Sequence, residues 1–321
     1  MIQPGAPLAF GPVPSRRLGQ SLGINNVPPK ACSYSCVYCQ VGRTPVEDIV
    51  PRAFAQPADV IQAVTRRVGE LQERGEPIDA LTFVPDGEPT LDRHLGEEIE
   101  GLRPLGLRIA VISNGSLVWR EDVRRALARA DWVSLKVDAV DEGVWRAVNR
   151  GHAALRMDVV LGGMLAFASE FRGELATETM LVQGLNDGDA SIEGTAAFLA
   201  RLRPSVAYVA APTRPPAELW VRPPEAEAVN RAFQRFAERL ARVELLTELE
   251  GTSFGTTGDP VADLLAITAV HPMREEAVLA IFARAGADPA SVECLVEEGR
   301  LEKVPFRGHT FYVRCIRAIG R

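Results

Sequence analysis

The sequence predicts an α/β fold: a partial, open-sided (βα)6 barrel of TIM-like build, with a small C-terminal winged helix-turn-helix domain. Three observations lead there. Strand-like and helix-like apolar periodicities alternate through residues 1–250, which implies right-handed crossovers and a parallel sheet. The alternation yields about six βα units, short of the eight that close a barrel. Residues 251–259 then turn rich in Gly, Thr and Ser, as a linker does, and residues 260–321 follow another pattern.

Taken in order, the opening FGPVPSRRLGQSLGINNVPPK is broken by Pro and Gly and reads as irregular apart from a strand near residues 21–24. Val60, Val64, Val68 and Leu71 recur at helical spacing. A strand at 80–84, a helix near 91–102, a strand at 107–112 and a helix at 120–130 follow. Next come a strand at 132–137, helical segments to about residue 167, a strand at 174–182, a helix at 191–202 and a strand at 206–210. Val229, Phe233, Phe236 and Leu240 mark a further amphipathic helix. Beyond the linker, short helices are expected around 261–270, 275–285 and 289–298, then a hairpin of 301–306 and 310–316 turning at Arg307 and Gly308.

Composition removes several classes of function. With 46% hydrophobic and 24% charged residues the chain is neither disordered nor fibrous. At 321 residues it buries enough surface to fold without disulfide staples. A net charge of -6 gives no overall basic field for nucleic acid or an anionic membrane. No apolar run approaches the roughly 18 residues a membrane helix needs. Residues 1–10 lack the basic start and apolar stretch of a signal peptide, so the expected location is the cytoplasm.

The cysteines carry the chemistry. Cys32, Cys36 and Cys39 stand in ACSYSCVYCQVG as C-x3-C-x2-C. Five cysteines scattered at random would give that run in about one chain in a thousand. Three is odd and the compartment reducing, which leaves thiolate ligation rather than a disulfide framework. Three such thiolates suit three irons of a cubane cluster with the fourth iron open to another ligand. The alternative is a zinc knuckle completed from afar by His94, His152, Cys294 or Cys315, none of which forms a second paired motif.

C-x3-C-x-aromatic-C at the head of a six-unit βα chain resembles the radical S-adenosylmethionine (radical SAM) superfamily, over about 250 residues. VPDGEPTL (84–91) resembles its Gly-Gly-Glu-Pro motif, with Asp86 in place of the usual first Gly. The resemblance implies that Glu88 and the backbone at Gly87 meet the methionine amino group. ISNGS (112–116) and SLKVDA (134–139) resemble strand ends that contact ribose and methionine carboxylate, which nominates Ser113, Asn114 and Asp138. LVQGLND (181–187), with Gln183, and YVAAPTRPP (208–216) look like strand ends flanking adenine, and Tyr38 is the aromatic residue beside Cys39. FGPVPSRRLGQSLGI, GEPTL and PTRPP are similar to the subgroup of wybutosine-synthesis-related Fe–S oxidoreductases, which rebuild a guanine in tRNA. Cysteines for a second cluster are missing here, and the winged helix is no part of that pattern. The resemblance implies a [4Fe-4S] cluster that passes one electron to the sulfonium of bound S-adenosylmethionine. Methionine and a 5′-deoxyadenosyl radical result, and the radical takes hydrogen from a substrate. It also implies an external one-electron reductant such as flavodoxin or ferredoxin.

The residues themselves support an interior site. In WVSLKVD, Ser134, Lys136 and Asp138 share the face expected to line the lumen, and Val133, Leu135 and Val137 the face expected against helices. Lysine occurs only at 30, 136 and 303, so Lys136 is a catalytic or cofactor-positioning candidate; the plainer expectation is a pair with Asp138 or Glu88. For Glu88 the plainer reading is a carboxylate at a helix N-terminus. Arg16 and Arg17, and the catalytic candidate Arg214 between Thr213 and two prolines, could grip a substrate phosphate or carboxylate in bidentate fashion or pair with barrel acids.

In the terminal unit the third helix carries Asp288, Glu293, Glu297 and Glu298, a poor surface for phosphates, so no sequence-specific DNA binding is expected. Arg300, Lys303, Arg307, Arg314, Arg317 and Arg321 make the remainder basic, fit for RNA or an acidic peptide; the unit could equally cap the barrel or mediate dimerisation. Cys294 and Cys315 are expected as buried apolar residues. The leading expectation is a radical SAM enzyme acting on RNA, such as tRNA; the others are one acting on a peptide or protein, and a non-enzymatic Fe–S regulator.

Overall fold

A computed structural model describes residues 7–249 and 251–315. One eight-stranded sheet dominates. Its strands are β1 (Ala9–Ser15), β2 (Gly19–Ile24), β3 (Ala80–Phe83), β4 (Arg108–Ser113), β5 (Trp132–Lys136), β6 (Glu174–Met180), β7 (Val206–Ala210) and β8 (Val243–Leu246), in that spatial order. From β2 to β8 every neighbour is parallel, whereas β1 runs antiparallel to β2. The six expected parallel strands are therefore present as β2–β7 within a curled half-barrel, and two more strands extend its edges.

Both additions have a physical reason for escaping the periodicity. β1 contains Pro12 and Pro14, which an edge strand tolerates because it needs donors on one side only, and its register shifts between Phe10 and Val13. β8 is a four-residue strand with one buried side chain, too short to show alternation.

The helices α1 (Pro57–Glu73), α2 (Leu95–Leu102), α3 (Glu121–Leu127), α4 (Glu142–Asn149), α5 (Met157–Glu170), α6 (Asp189–Leu202) and α7 (Ala226–Ala237) connect the strands. Their apolar faces join one continuous core on the sheet's outer surface, with Val64, Leu71, Ile99, Leu127, Phe167, Leu199 and Phe236 all fully buried. The expected parity of β5 holds: Val133, Leu135 and Val137 belong to this helix-side core. On the concave face Ala80, Ala110, Ala176 and Ala210 sit with Trp132, Val206 and Tyr208. The small side chains keep the lumen open where bulky ones would fill it.

The terminal unit contains α8 (Pro260–Thr268), β9 (Met273–Arg274), α9 (Glu275–Arg284), α10 (Ala290–Glu297), β10 (Leu301–Phe306) and β11 (His309–Arg314). The strands form an antiparallel sheet in the order β10-β11-β9, so a short strand not expected from the sequence joins the hairpin. Ile316, Arg317, Arg321 and residues 1–6 lie outside the described residues. The stretch expected as a linker is tied down. Phe254 is buried in the terminal core, Gly255 N–H donates to Pro12 O at 2.7 Å, and Arg74 donates to Thr256 O and Thr257 O at 2.7 and 2.6 Å. Cys294 departs from expectation: it is exposed, because α10 turns Val292 and Leu295 inward, and Cys315 is half-buried. No helix among the described residues is long and apolar enough to cross a membrane.

Candidate functional site

The segment after β2 carries the three cysteines and runs beside the C-terminal end of α4. Ser35 N–H donates to Asn149 O at 3.1 Å, Val37 N–H to Val148 O at 2.9 Å, and His152 N–H to Ser33 O at 2.9 Å. Tyr34 anchors it from beneath, edge-on to Trp145, whose indole N–H reaches the phenol oxygen at 3.2 Å. Each sulfur meets a side-chain nitrogen donor from a different place. Asn114 Nδ2 lies 3.6 Å from Cys32 Sγ, Asn149 Nδ2 3.5 Å from Cys36 Sγ, and Lys30 Nζ 3.5 Å from Cys39 Sγ. Burial, with the nearby Asp138 charge, pushes the Cys36 thiol up to about 12, and burial with Glu88 raises Cys32 further. A bound metal would favour the thiolate by displacing the proton.

Glu88 follows β3 and is 1% exposed. Its Oε1 accepts from Thr90 N–H at 3.1 Å, Thr90 Oγ1 at 2.6 Å and Ser113 Oγ at 2.7 Å, and its Oε2 from Asn114 N–H at 2.7 Å. The carboxylate thus caps the 3-10 turn Pro89–Leu91 and latches the end of β3 to the end of β4. Burial raises its pKa, against these four donors. Gly87 brings this loop onto the cysteine segment: Glu88 N–H donates to Ala31 O at 2.8 Å and Lys30 N–H to Asp86 O at 2.9 Å. Burial raises Asp86 to about 7, although Lys30 opposes the shift.

Asp138 ends β5. Its Oδ1 accepts from Met180 N–H at 2.8 Å, and its Oδ2 from Asn149 Nδ2 at 2.6 Å and from the Tyr38 hydroxyl. Lys136 pairs with Glu178, not with the expected Asp138 or Glu88, because β5–β6 register sets Lys136 directly opposite Glu178. Arg17 binds the same carboxylate. Burial opposes ionisation of Glu178, but Lys136 and Arg17 together outweigh it and bring the group down to about 2. Arg214 donates to Gln40 Oε1 at 2.9 Å, and Gln40 Nε2 donates onward to Val270 O at 2.8 Å, tying the residue after Cys39 to the terminal unit. Gln183 stands apart: it is exposed and reaches Glu225 at 3.2 Å.

Tyr38, Glu88, Ser113, Asn114, Lys136 and Asp138 are therefore gathered with the cysteines at one end of the sheet. Lys30, Gln40, Thr90, Asn149 and Glu178 belong to this network without having been singled out from sequence. Glu178 had a legible signal, a carboxylate mid-strand in ELATETM; Asn149, in a helix end, had none. Among the described residues no three His, Cys, Asp or Glu side chains already surround a single point as one metal ion requires. The case for the cysteines is their soft chemistry, their shared segment and the donor on each sulfur.

This fold and this cysteine segment define a radical SAM enzyme, and the chain belongs to the radical SAM superfamily, whose sequence model matches residues 26–199. Members of that family use a [4Fe-4S] cluster and S-adenosylmethionine. Over nearly its whole length the chain is similar to a UPF0026 protein of Methanocaldococcus jannaschii, 46% identical over 313 residues, 97% of each chain. Among solved structures it resembles a radical SAM methyltransferase from Sphaerobacter thermophilus, with TM-score 0.53, 17% identity and coverage of 71% and 66% of the two chains. It also resembles Streptococcus suis SuiB bound to its precursor peptide, with TM-score 0.52, 14% identity and coverage of 76% and 49%.

Proposed function

We propose that Cys32, Cys36 and Cys39 hold a [4Fe-4S] cluster, and that the chain cleaves S-adenosylmethionine reductively to take a hydrogen atom from a substrate in the lumen. When bound, cluster and cofactor supply the electron transfer and the radical. The chain's own residues position and shield. Asn114, Asn149 and Lys30 orient the sulfurs, Glu88 fixes Ser113 and Asn114 at the end of β4, and the Asp138–Tyr38–Asn149 group fixes the end of β5. Glu88 is held by four protein donors and Asp138 by three, which leaves the Gly87 backbone as the partner for the methionine portion. The observation that carries the reading is the donor on each of three cysteine sulfurs. Anaerobically reconstituted protein with dithionite should convert S-adenosylmethionine to 5′-deoxyadenosine, and Cys36→Ala should abolish it; absence of product from the unmodified chain would overturn the proposal.

In this reading residues 1–250 form the catalytic barrel, and residues 260–321 are a winged helix whose acidic α10 is a poor surface for phosphates. The substrate class we favour is an RNA nucleoside, checked by mass spectrometry of tRNA nucleosides from a deletion strain; an unchanged profile would leave the peptide reading, which the likeness to a peptide-bound neighbour favours.

A further inference from the structure

A cavity of about 100 Å³ opens between the concave face of the sheet and the terminal unit. Its walls mix apolar side chains, among them Leu18, Val84 and Ile112, with two guanidinium groups, Arg17 and Arg214, and the uncharged polar groups of Gln40 and His271. Gln40 directly follows Cys39, so the cavity adjoins the cysteine segment, and Val270 and His271 make the terminal unit one of its walls.

Charge is concentrated there. Arg274 lines the adjoining recess with Arg214 and His271. Burial, then the like charges of Arg16, Arg17 and Arg274, bring Arg214 down to about 9, so it stays protonated at neutral pH at an electrostatic cost. Burial and Arg214 also hold His271 neutral, so it offers hydrogen bonds without adding charge. Glu178 is already shared between Arg17 and Lys136. Clustered guanidinium groups around a small partly apolar chamber suit a planar or tetrahedral oxyanion gripped by parallel N–H pairs.

We infer that this chamber is the substrate's anchoring site, in which Arg214 with Arg17 binds a phosphate group of the substrate, Arg274 in the adjoining recess adds positive potential, and the terminal unit closes the wall behind it. The inference rests on the proposed function only in taking the lumen as the reaction chamber. It assigns the terminal unit a part in substrate binding from within the cavity, beyond any contact on its outer face.

Titration of the full-length, anaerobically reconstituted protein with inorganic phosphate, followed by calorimetry in a low-salt cationic buffer, tests it. Saturable one-to-one binding is expected, weakened at least about tenfold in Arg214→Gln. It should be partly retained in Arg214→Lys, which keeps the charge but loses the fork, and unchanged in Arg125→Gln on the remote surface of α3. Arg274→Gln, also expected to weaken binding, serves if Arg214→Gln fails to fold. Malonate is titrated alongside: tighter binding of malonate than phosphate would overturn the phosphate assignment, and no binding of phosphate, or equal binding by the Arg214 and Arg274 variants, would overturn the site. Formation of 5′-deoxyadenosine is read separately, so phosphate binding without cleavage sinks the proposed reaction alone, and cleavage without phosphate binding sinks this inference alone.

Discussion

Gly87→Ala is the most informative single change, because one methyl group separates a packing role from a cofactor role. Gly87 has no unusual backbone angle to excuse it; its constraint is approach. A Cβ at this position would lie 2.9 Å from Val27 Cγ2, 3.0 Å from the Ala31 carbonyl carbon and closer still to its oxygen. Backbone cannot swing aside as a side-chain tip can, so the loop carrying Asp86 and Glu88 must retreat from the cysteine segment. Overpacking of this kind costs roughly 1–3 kcal/mol, and losing the Glu88 N–H to Ala31 O bond adds about 1 kcal/mol. The sum, about 2–4 kcal/mol, should lower the urea midpoint by on the order of 1 M. Iron retained per chain after reconstitution should fall as well, since Cys32 adjoins Ala31. Gly69→Ala in α1, where a Cβ meets nothing within 4 Å, is the control and should stabilise by about 0.5–1 kcal/mol. An unchanged midpoint for Gly87→Ala would refute the steric argument and leave cofactor contact as the reason for the glycine.

Two further outcomes follow from buried charge. Glu98 is fully buried, and burial, with Asp92 nearby, raises its pKa to about 8. The folded chain keeps its proton while the unfolded chain loses it near pH 4.5, so this contribution is full below that pH, declines as pH rises to about 8, and is flat beyond. Urea unfolding at pH 5 and pH 8 should show a loss of a few kcal/mol that Glu98→Gln reduces, and identical pH dependence in the two proteins would contradict the assignment. Lys30→Met removes a cation 3.5 Å from Cys39 Sγ. Reduction adds negative charge there, so the cluster potential should fall in an EPR-monitored redox titration, and an unchanged or higher potential would count against the contact.

Much of the barrel could be read from sequence because parallel strands buried between helices and lumen announce themselves by parity. β5 is the clearest case, with Val133, Leu135 and Val137 toward the helices and Ser134 and Lys136 on the other face. β1 could not be read, since Pro12 and Pro14 argue against a strand unless its edge position is known. The cysteine segment was legible from spacing alone. Its donors were not: Asn114, Asn149 and Lys30 meet the sulfurs through tertiary packing, and no local rule marks an asparagine for that duty. Lys136 shows the boundary well. Its inward direction followed from alternation, but its partner Glu178 depended on strand register across 42 residues.

The antiparallel β1 also bears on the order in which the chain can assemble. β1 and β2 form the sole pairing in the large sheet made between adjacent segments; every other pair waits for an intervening helix. During synthesis this hairpin can form early, leaving the cysteine segment tethered to one strand while β3 has yet to emerge. Its three sulfur donors arrive at residues 30, 114 and 149. A nascent chain therefore exposes its thiols long before it can shelter them, and on the proposed reading insertion of the cluster should await the docking of α4.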